Sequence, residues 1–190
     1  MVGGLVGSIL HRLKVALGRA EPPPCAGPDG LSIRAMTPRD VAGVAAIEGA
    51  SFGSPWRAGS YTRAVQESPQ QFFVAELEGR LVGYAGFWVE RTRAHIAKVA
   101  VEADSRRRGI GGALLEHVLD QVRRLGLGSA YLEVRKSNKG AQELYRRFGF
   151  RFERVQPHAY PNDGEDAYVL VLDGLLEVAP PSAATKGTEE

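Results

Sequence analysis

Seven consecutive residues, Arg106-Arg107-Arg108-Gly109-Ile110-Gly111-Gly112, combine three guanidinium groups with three glycines. Glycines in such a run let the backbone approach a ligand closely, and the unpaired amides that open a helix attract anions. With the arginine charges at the same spot, the run has the physics of a pyrophosphate cradle. Its plainer reading is a glycine turn beside a solvated basic stretch. No Gly-Lys-Ser/Thr follows, which excludes a P-loop, and no Gly-x-Gly-x-x-Gly stands at the first strand, which argues against a dinucleotide fold. Glu133 sits in the middle of Ala130-Tyr131-Leu132-Glu133-Val134, a poor place for a carboxylate unless it faces a cavity. Its plainer reading is a surface group neutralised by Arg135. Tyr145 shares a helical face with Ala141, Leu144 and Phe148, and such stripes are usually packing. Asn138 opens the same helix and suits an N-cap.

These residues need a frame. Hydrophobic content of 44% and charged content of 24% over 190 residues suit one globular domain. One cysteine, Cys25, cannot build a disulfide framework, and His11, His95, His117 and His158 lack the spacing of a zinc site, so no metal is expected. The formal charge of +2 is too small for a generic DNA or RNA binder. Even so, Arg106, Arg107, Arg108, Arg123, Arg124, Arg135, Lys136, Lys139, Arg146 and Arg147 cluster along the chain. A local basic field favours a polyanion, either a phosphorylated cofactor or RNA.

The elements alternate. Strands are expected at Leu31–Ala35, Phe72–Leu77, Leu81–Val89, Ile96–Val101, Ser129–Val134, Arg151–Val155 and Ala167–Leu172. Helices are expected at Pro38–Gly49, Trp56–Glu67, Ile110–Leu125 (stopped by Gly126) and Lys139–Phe148 (stopped by Gly149). This pattern is α/β, with a mixed central sheet flanked by helices. The folded domain is expected over 31–178. Residues 1–30 read as an N-terminal extension and flexible linker, since Glu21 to Gly30 holds four prolines and two glycines. Within the extension Val2, Val6, Ile9, Leu13, Ala16 and Ala20 recur at helical spacing. This suits a surface-binding amphipathic helix or, more plainly, a frayed extension. A signal peptide fits poorly because the apolar run precedes the charges. Residues 179–190 read as a disordered tail. No apolar stretch is long enough to span a membrane, and the expected location is the cytoplasm.

The run Arg106-x-x-Gly109-x-Gly111 resembles the acetyl-coenzyme A signature of the GNAT acetyltransferases, and Val99-Ala100-Val101 resembles that family's splayed fourth strand. Further pieces resemble the RimI type, which acetylates the N-terminal alanine of a small-subunit ribosomal protein. They are Tyr131-Leu132-Glu133-Val134-Arg135-x-Ser137-Asn138, Leu144-Tyr145-x-x-Phe148-Gly149-Phe150, Ile47-Glu48-x-x-Ser51-Phe52-x-x-Pro55-Trp56 and Tyr160-Pro161-x-Asp163-Gly164-Glu165-Asp166-Ala167. The match runs from about Leu31 to Leu172. Ala103 stands where the family usually has proline, and Ala159 where it often has the first of two tyrosines, on a segment expected to wall the acceptor site.

The resemblance implies a GNAT fold and acetyl-coenzyme A as cosubstrate, held by Val99, Ala100, Val101, Arg106, Arg107, Arg108, Gly109, Ile110, Gly111 and Asn138. It implies the N-terminus of a protein, a ribosomal one, as acceptor. A free α-amine is mostly protonated at neutral pH and must lose a proton before it attacks a thioester. The resemblance makes Glu133 the base and Tyr145 the acid for the departing thiolate, with the Val99 and Val101 amides polarising the carbonyl. Phe52 and Trp56 suit helix packing with one exposed edge, the alternative being a part in the acceptor groove, and Glu48, Asp163, Glu165 and Asp166 could attract a basic peptide. Alternative acceptors are another peptide N-terminus, a lysine side chain or a small amine. A non-catalytic RNA- or ribosome-binding module is the other class, against which Glu133 and Tyr145 both stand.

Overall fold

Strand-length apolar alternation, broken by glycine turns, lays out a sheet; longer runs of helical period supply covers for its faces. The computed structural model describes residues 27–53, 55–67 and 71–176. The N-terminal helical stripe, most of the linker and the tail lie outside these residues. The elements in chain order are β1 (Leu31–Ala35), a 3-10 turn (Pro38–Asp40), α1 (Val41–Ser51), α2 (Ala58–Glu67), β2 (Phe72–Leu77) and β3 (Arg80–Glu90). Then come β4 (Arg93–Val101), a second 3-10 turn (Ala103–Ser105), α3 (Ile110–Arg124), β5 (Ser129–Arg135), α4 (Lys139–Arg147), β6 (Arg151–Tyr160) and β7 (Glu165–Asp173).

Among the described residues the strands form one seven-stranded sheet in the order β1-β2-β3-β4-β5-β7-β6. All neighbours are antiparallel except β4 and β5, which run parallel and pair only at Ala94↔Ala130 and His95↔Tyr131. Beyond that point the two strands part. A wedge opens between Ile96–Val101 on one side and Leu132–Arg135 on the other.

Each face of the sheet has its own core. On one face Ile110, Leu114, Val118 and Val122 of α3 pack with Phe73, Phe87, Ile96, Leu132 and Val134. On the other, Val44 and Ile47 of α1 and Tyr61 and Ala64 of α2 pack with Phe72, Val74 and Tyr84. Gly86 is needed where the β3–β4 register shifts, because a β-carbon there would lie 2.2 Å from the Phe72 ring. Gly126 and Gly149 end α3 and α4 with φ of 75° and 85°, as their sequence positions predict.

Some boundaries move. Pro38 starts a 3-10 turn instead of the α-helix, with Asp40 accepting from the Thr37 amide. Strand β4 begins at Arg93, and β6 runs on to Tyr160 through Pro157, which an edge strand tolerates.

Candidate active site

The wedge between β4 and β5 is where the suspected site residues gather. Their orientation follows from strand alternation. The Glu102 amide donates to the Val82 carbonyl at 2.8 Å, so Ala100 and Lys98 also turn their amides towards β3. Val99 and Val101 therefore aim theirs away from β3, into the wedge, where no ladder partner meets them.

At the mouth of the wedge stands the Arg106–Gly112 turn. Arg107 has φ of 64° and Gly109 φ of 84°, and this left-handed backbone gathers amides into a concavity. The amides of Arg107 to Gly112 donate to no acceptor among the described residues; the first helical bond is from Ala113 to the Gly109 carbonyl, at 3.0 Å. Arg107 and Arg108 are exposed and pair with no carboxylate among the described residues. Arg106 is differently employed. Its Nε donates to the Val101 carbonyl at 3.0 Å and its Nη2 to Ser51 Oγ at 3.4 Å, bracing the turn to β4 and α1. A β-carbon on Gly111 would sit 3.6 Å from Leu144 and 3.7 Å from Val101, so α3, α4 and β4 converge there.

Glu133 points from β5 to the α1–α2 face of the sheet. Its Oε2 lies 2.7 Å from His95 Nε2, and the same imidazole has Nδ1 3.3 Å from Glu90 Oε1. The ring stacks on Tyr131 at 4.5 Å, and the Tyr131 hydroxyl donates to Glu90 at 2.6 Å. Glu133 is thus held by His95, not neutralised by Arg135, as the plainer sequence reading had it. Arg135 instead bonds Asp163 at 2.8 Å and Glu165 at 2.6 Å, and lies 3.8 Å from the Tyr160 ring. Arg135 and the Ser137 amide lower the Glu165 pKa to about 2. Asp166 lies 3.7 Å from Lys136. The expected attraction of these loop carboxylates for a basic peptide gives way to internal pairing, and Glu48 is fully buried.

Burial pulls the His95 pKa down, but the hydrogen bonds and charges of Glu133 and Glu90 outweigh it and leave it raised above the ordinary 6.5. A raised folded-state value means that the pair's contribution to stability is complete below pH 6.5 and is lost as pH climbs through the raised value. Thermal melts of the wild type and His95→Gln should therefore converge as pH rises above that window. Curves that run parallel across the whole range would remove the ion pair from the account.

Tyr145 is buried on α4, edge-on to Phe150 at 5.8 Å, and its hydroxyl bonds to no group among the described residues. Burial, then the neighbouring Tyr160, pushes its pKa up, so the hydroxyl stays protonated. Burial also raises the pKa of Tyr160, which feels the charges of Arg135 and Glu133 too. Asn138 Oδ1 accepts from the Ala141 amide at 3.1 Å, the N-cap role its position predicts. Among the described residues no cluster of His, Cys, Asp and Glu could hold a metal ion. His95, Glu90 and Tyr131 escaped the sequence reading of the site, because only the β3–β4–β5 register brings them to Glu133.

A family model described as the acetyltransferase (GNAT) family matches residues 41–150. The chain belongs to the GNAT family. The ribosomal protein bS18-alanine N-acetyltransferase of Escherichia coli (strain K12) is 31% identical over 143 residues, covering 74% of this chain and 96% of the relative. The crystal structure of the ribosomal-protein-S18-alanine N-acetyltransferase from Escherichia coli superposes with a TM-score of 0.68 at 30% identity, over 76% of this chain and 94% of that one. Ard1 from Thermoplasma volcanium gives a TM-score of 0.72 at 30% identity, over 76% and 97%. The protein is a GNAT-type N-acetyltransferase, and GNAT acetyltransferases use acetyl-coenzyme A. The Arg107–Gly112 amides and the Arg107 and Arg108 side chains, which pair with no group among the described residues, and the open wedge fit that cosubstrate.

Proposed function

We propose that this GNAT enzyme transfers acetyl from acetyl-coenzyme A to the N-terminal α-amine of a protein, the N-terminal alanine of a small-subunit ribosomal protein. The observation that carries the reading is Glu133, a carboxylate on the wall of the wedge, held by His95 at 2.7 Å. The relatives named for ribosomal protein alanine support the choice of acceptor.

In this reading the amides of residues 107–112, with Arg107 and Arg108, take the pyrophosphate, Arg106 braces their turn, and Asn138 borders the same side. When bound, the cosubstrate supplies an activated thioester carbonyl. The Val99 and Val101 amides, flanking Ala100, point to where that carbonyl's charge grows. Glu133 takes the ammonium proton, directly or through one water, and the neutral amine attacks. Tyr145, kept protonated by its burial, gives its proton to the departing sulfur, and the second proton of the attacking nitrogen, lost as the amide forms, restores the tyrosine hydroxyl. His95 holds the Glu133 carboxylate in place. No covalent enzyme intermediate is required.

Acetyl-coenzyme A turnover against free-amine peptides, a lysine peptide and polyamines tests the acceptor. The expected product is acetyl on the α-amine, greatest for an alanine N-terminus, read by mass spectrometry of the peptides. Label confined to lysine side chains or polyamines would move the enzyme to another acceptor class. Tyr145→Phe keeps the ring against Phe150 and removes only the hydroxyl. Folding and coenzyme affinity should persist while turnover falls by roughly 10²-fold, the low end for a positioned acid. A folded Tyr145→Phe enzyme with the wild-type rate would leave Tyr145 as packing alone.

A further inference from the structure

Glu48 is a carboxylate with no exposed surface, buried where α1 meets the sheet. Its backbone carbonyl accepts from the Phe52 amide at 3.0 Å, and its Oε1 accepts from the Trp56 amide at 2.9 Å. One residue thus grips Phe52 and Trp56 together. The same Oε1 lies 2.9 Å from Lys98 Nζ, while Oε2 accepts from the Tyr84 hydroxyl, itself bonded to Tyr61 at 2.9 Å. Lys98 is nearly buried, with its ammonium 4.2 Å from the Phe52 ring centroid and 5.0 Å from that of Trp56. Lys98 is on β4, one residue before Val99.

A buried ion pair of this kind is weak evidence for stability, since desolvating two charges offsets most of their attraction. What it supplies here is geometry. A charged acceptor holds a single backbone amide, and its countercharge comes from the strand that flanks the wedge. Trp56 also stacks with Trp88 at 6.3 Å and lines an open groove with Arg57, Ser60, Arg63 and Trp88. Trp88 pairs in register with His95, the partner of Glu133, so this groove adjoins the site. Gly53 completes the picture: a β-carbon on it would lie 2.9 Å from Asn162, which bonds Arg135 beside Tyr160.

We propose that Glu48 and Lys98 are positioning residues that lock Phe52 and Trp56 to β4 and so fix the acceptor wall of the site. The proposal rests on the N-acetyltransferase reading above. It predicts that loosening the lock weakens acceptor binding while coenzyme binding at the Arg107–Gly112 amides stays as it was.

The test uses two double variants, because removing one charge alone leaves the other buried and unpaired. Glu48→Met with Lys98→Met removes both charges and leaves the Trp56 amide without an acceptor. Its KM for an alanine-terminated peptide should rise roughly tenfold or more, with acetyl-coenzyme A affinity within about twofold of wild type; tenfold corresponds to the loss of one hydrogen bond to a charged group. Glu48→Gln with Lys98→Met gives the amide a neutral acceptor again, and most of the lost peptide KM should return. Equal effects on both substrates, or no difference between the two double variants, would overturn the proposal. Should either variant fail to fold, hydrogen exchange in the wild-type chain decides instead. The Trp56 amide should exchange as slowly as amides inside α1, and exchange at the rate of a free loop would overturn it. A peptide panel with no acetylated product would sink the functional reading, while the exchange measurement would still report on the lock.

Discussion

Glu133→Gln should lower turnover by roughly 10²–10⁴, the usual contribution of a positioned general base. Glutamine keeps the shape and a hydrogen bond to His95, so the fold should survive. Part of the loss should return as pH rises, because more of the acceptor amine is then neutral without help. The structure adds a second signature. The Glu133 carboxylate is one of the groups that raise the His95 pKa, so the His95 imidazole should titrate lower in the variant by NMR. A drop in rate without that shift would mean that the His95–Glu133 contact is not made in solution. A near-wild-type rate in a folded variant would falsify the base assignment outright.

Acetyl-coenzyme A affinity should fall by at least about 10² in Gly109→Val. Gly109 precedes α3 with φ of 84°, a conformation that costs an L-residue roughly 1–2 kcal/mol. A β-branched side chain there forces the turn to relax and swings the amides of residues 107–112 off their common centre. Two hydrogen bonds to a charged phosphate, at about 1.5–3 kcal/mol each, correspond to that loss or more. The strain itself should lower the melting temperature by about 2–8 °C, leaving the protein folded at ordinary temperature. Calorimetry on the folded variant is the measurement, and unchanged affinity would take the pyrophosphate away from this turn.

What could be read from the chain depended on how local its cause was. Helix α3 announces itself through Ile110, Leu114, Val118 and Val122 and a glycine stop, all within one stretch of sequence. The phosphate turn is equally local, since glycines and charges stand next to each other. Glu133 stood out as a carboxylate among apolar neighbours, but its partner did not. His95 is 38 positions away, and it reaches Glu133 only because β4 has shifted register against β3 between Gly86 and Phe87. The polar run Arg93–His95 did not read as strand either; it is drawn into β4 by pairing with Val89 and Glu90 across a turn at Arg91, whose φ is 56°. Strand β6 is exposed along most of its length, so it shows no inside–outside alternation to mark where it ends. Glu48 was the hardest to place. As a sequence feature it is one more acidic residue on a helix, and only the packing of α1 on Tyr84 and Lys98 makes it a buried tether.

The parting of β4 and β5 has a cost unrelated to chemistry. Sheets usually confine their unsatisfied ladder to the outer strands, where short length, charge or a covering loop guards it. Here a second pair of margins lies at the centre, beyond Ala94↔Ala130 and His95↔Tyr131, where neighbouring backbones no longer bond each other. Unpaired strand margins are templates for foreign extended chains, including a second copy of the same protein. Whatever occupies the opening also shields them. The empty protein should consequently be more prone to self-association on storage than the protein saturated with cosubstrate, even where both are fully folded.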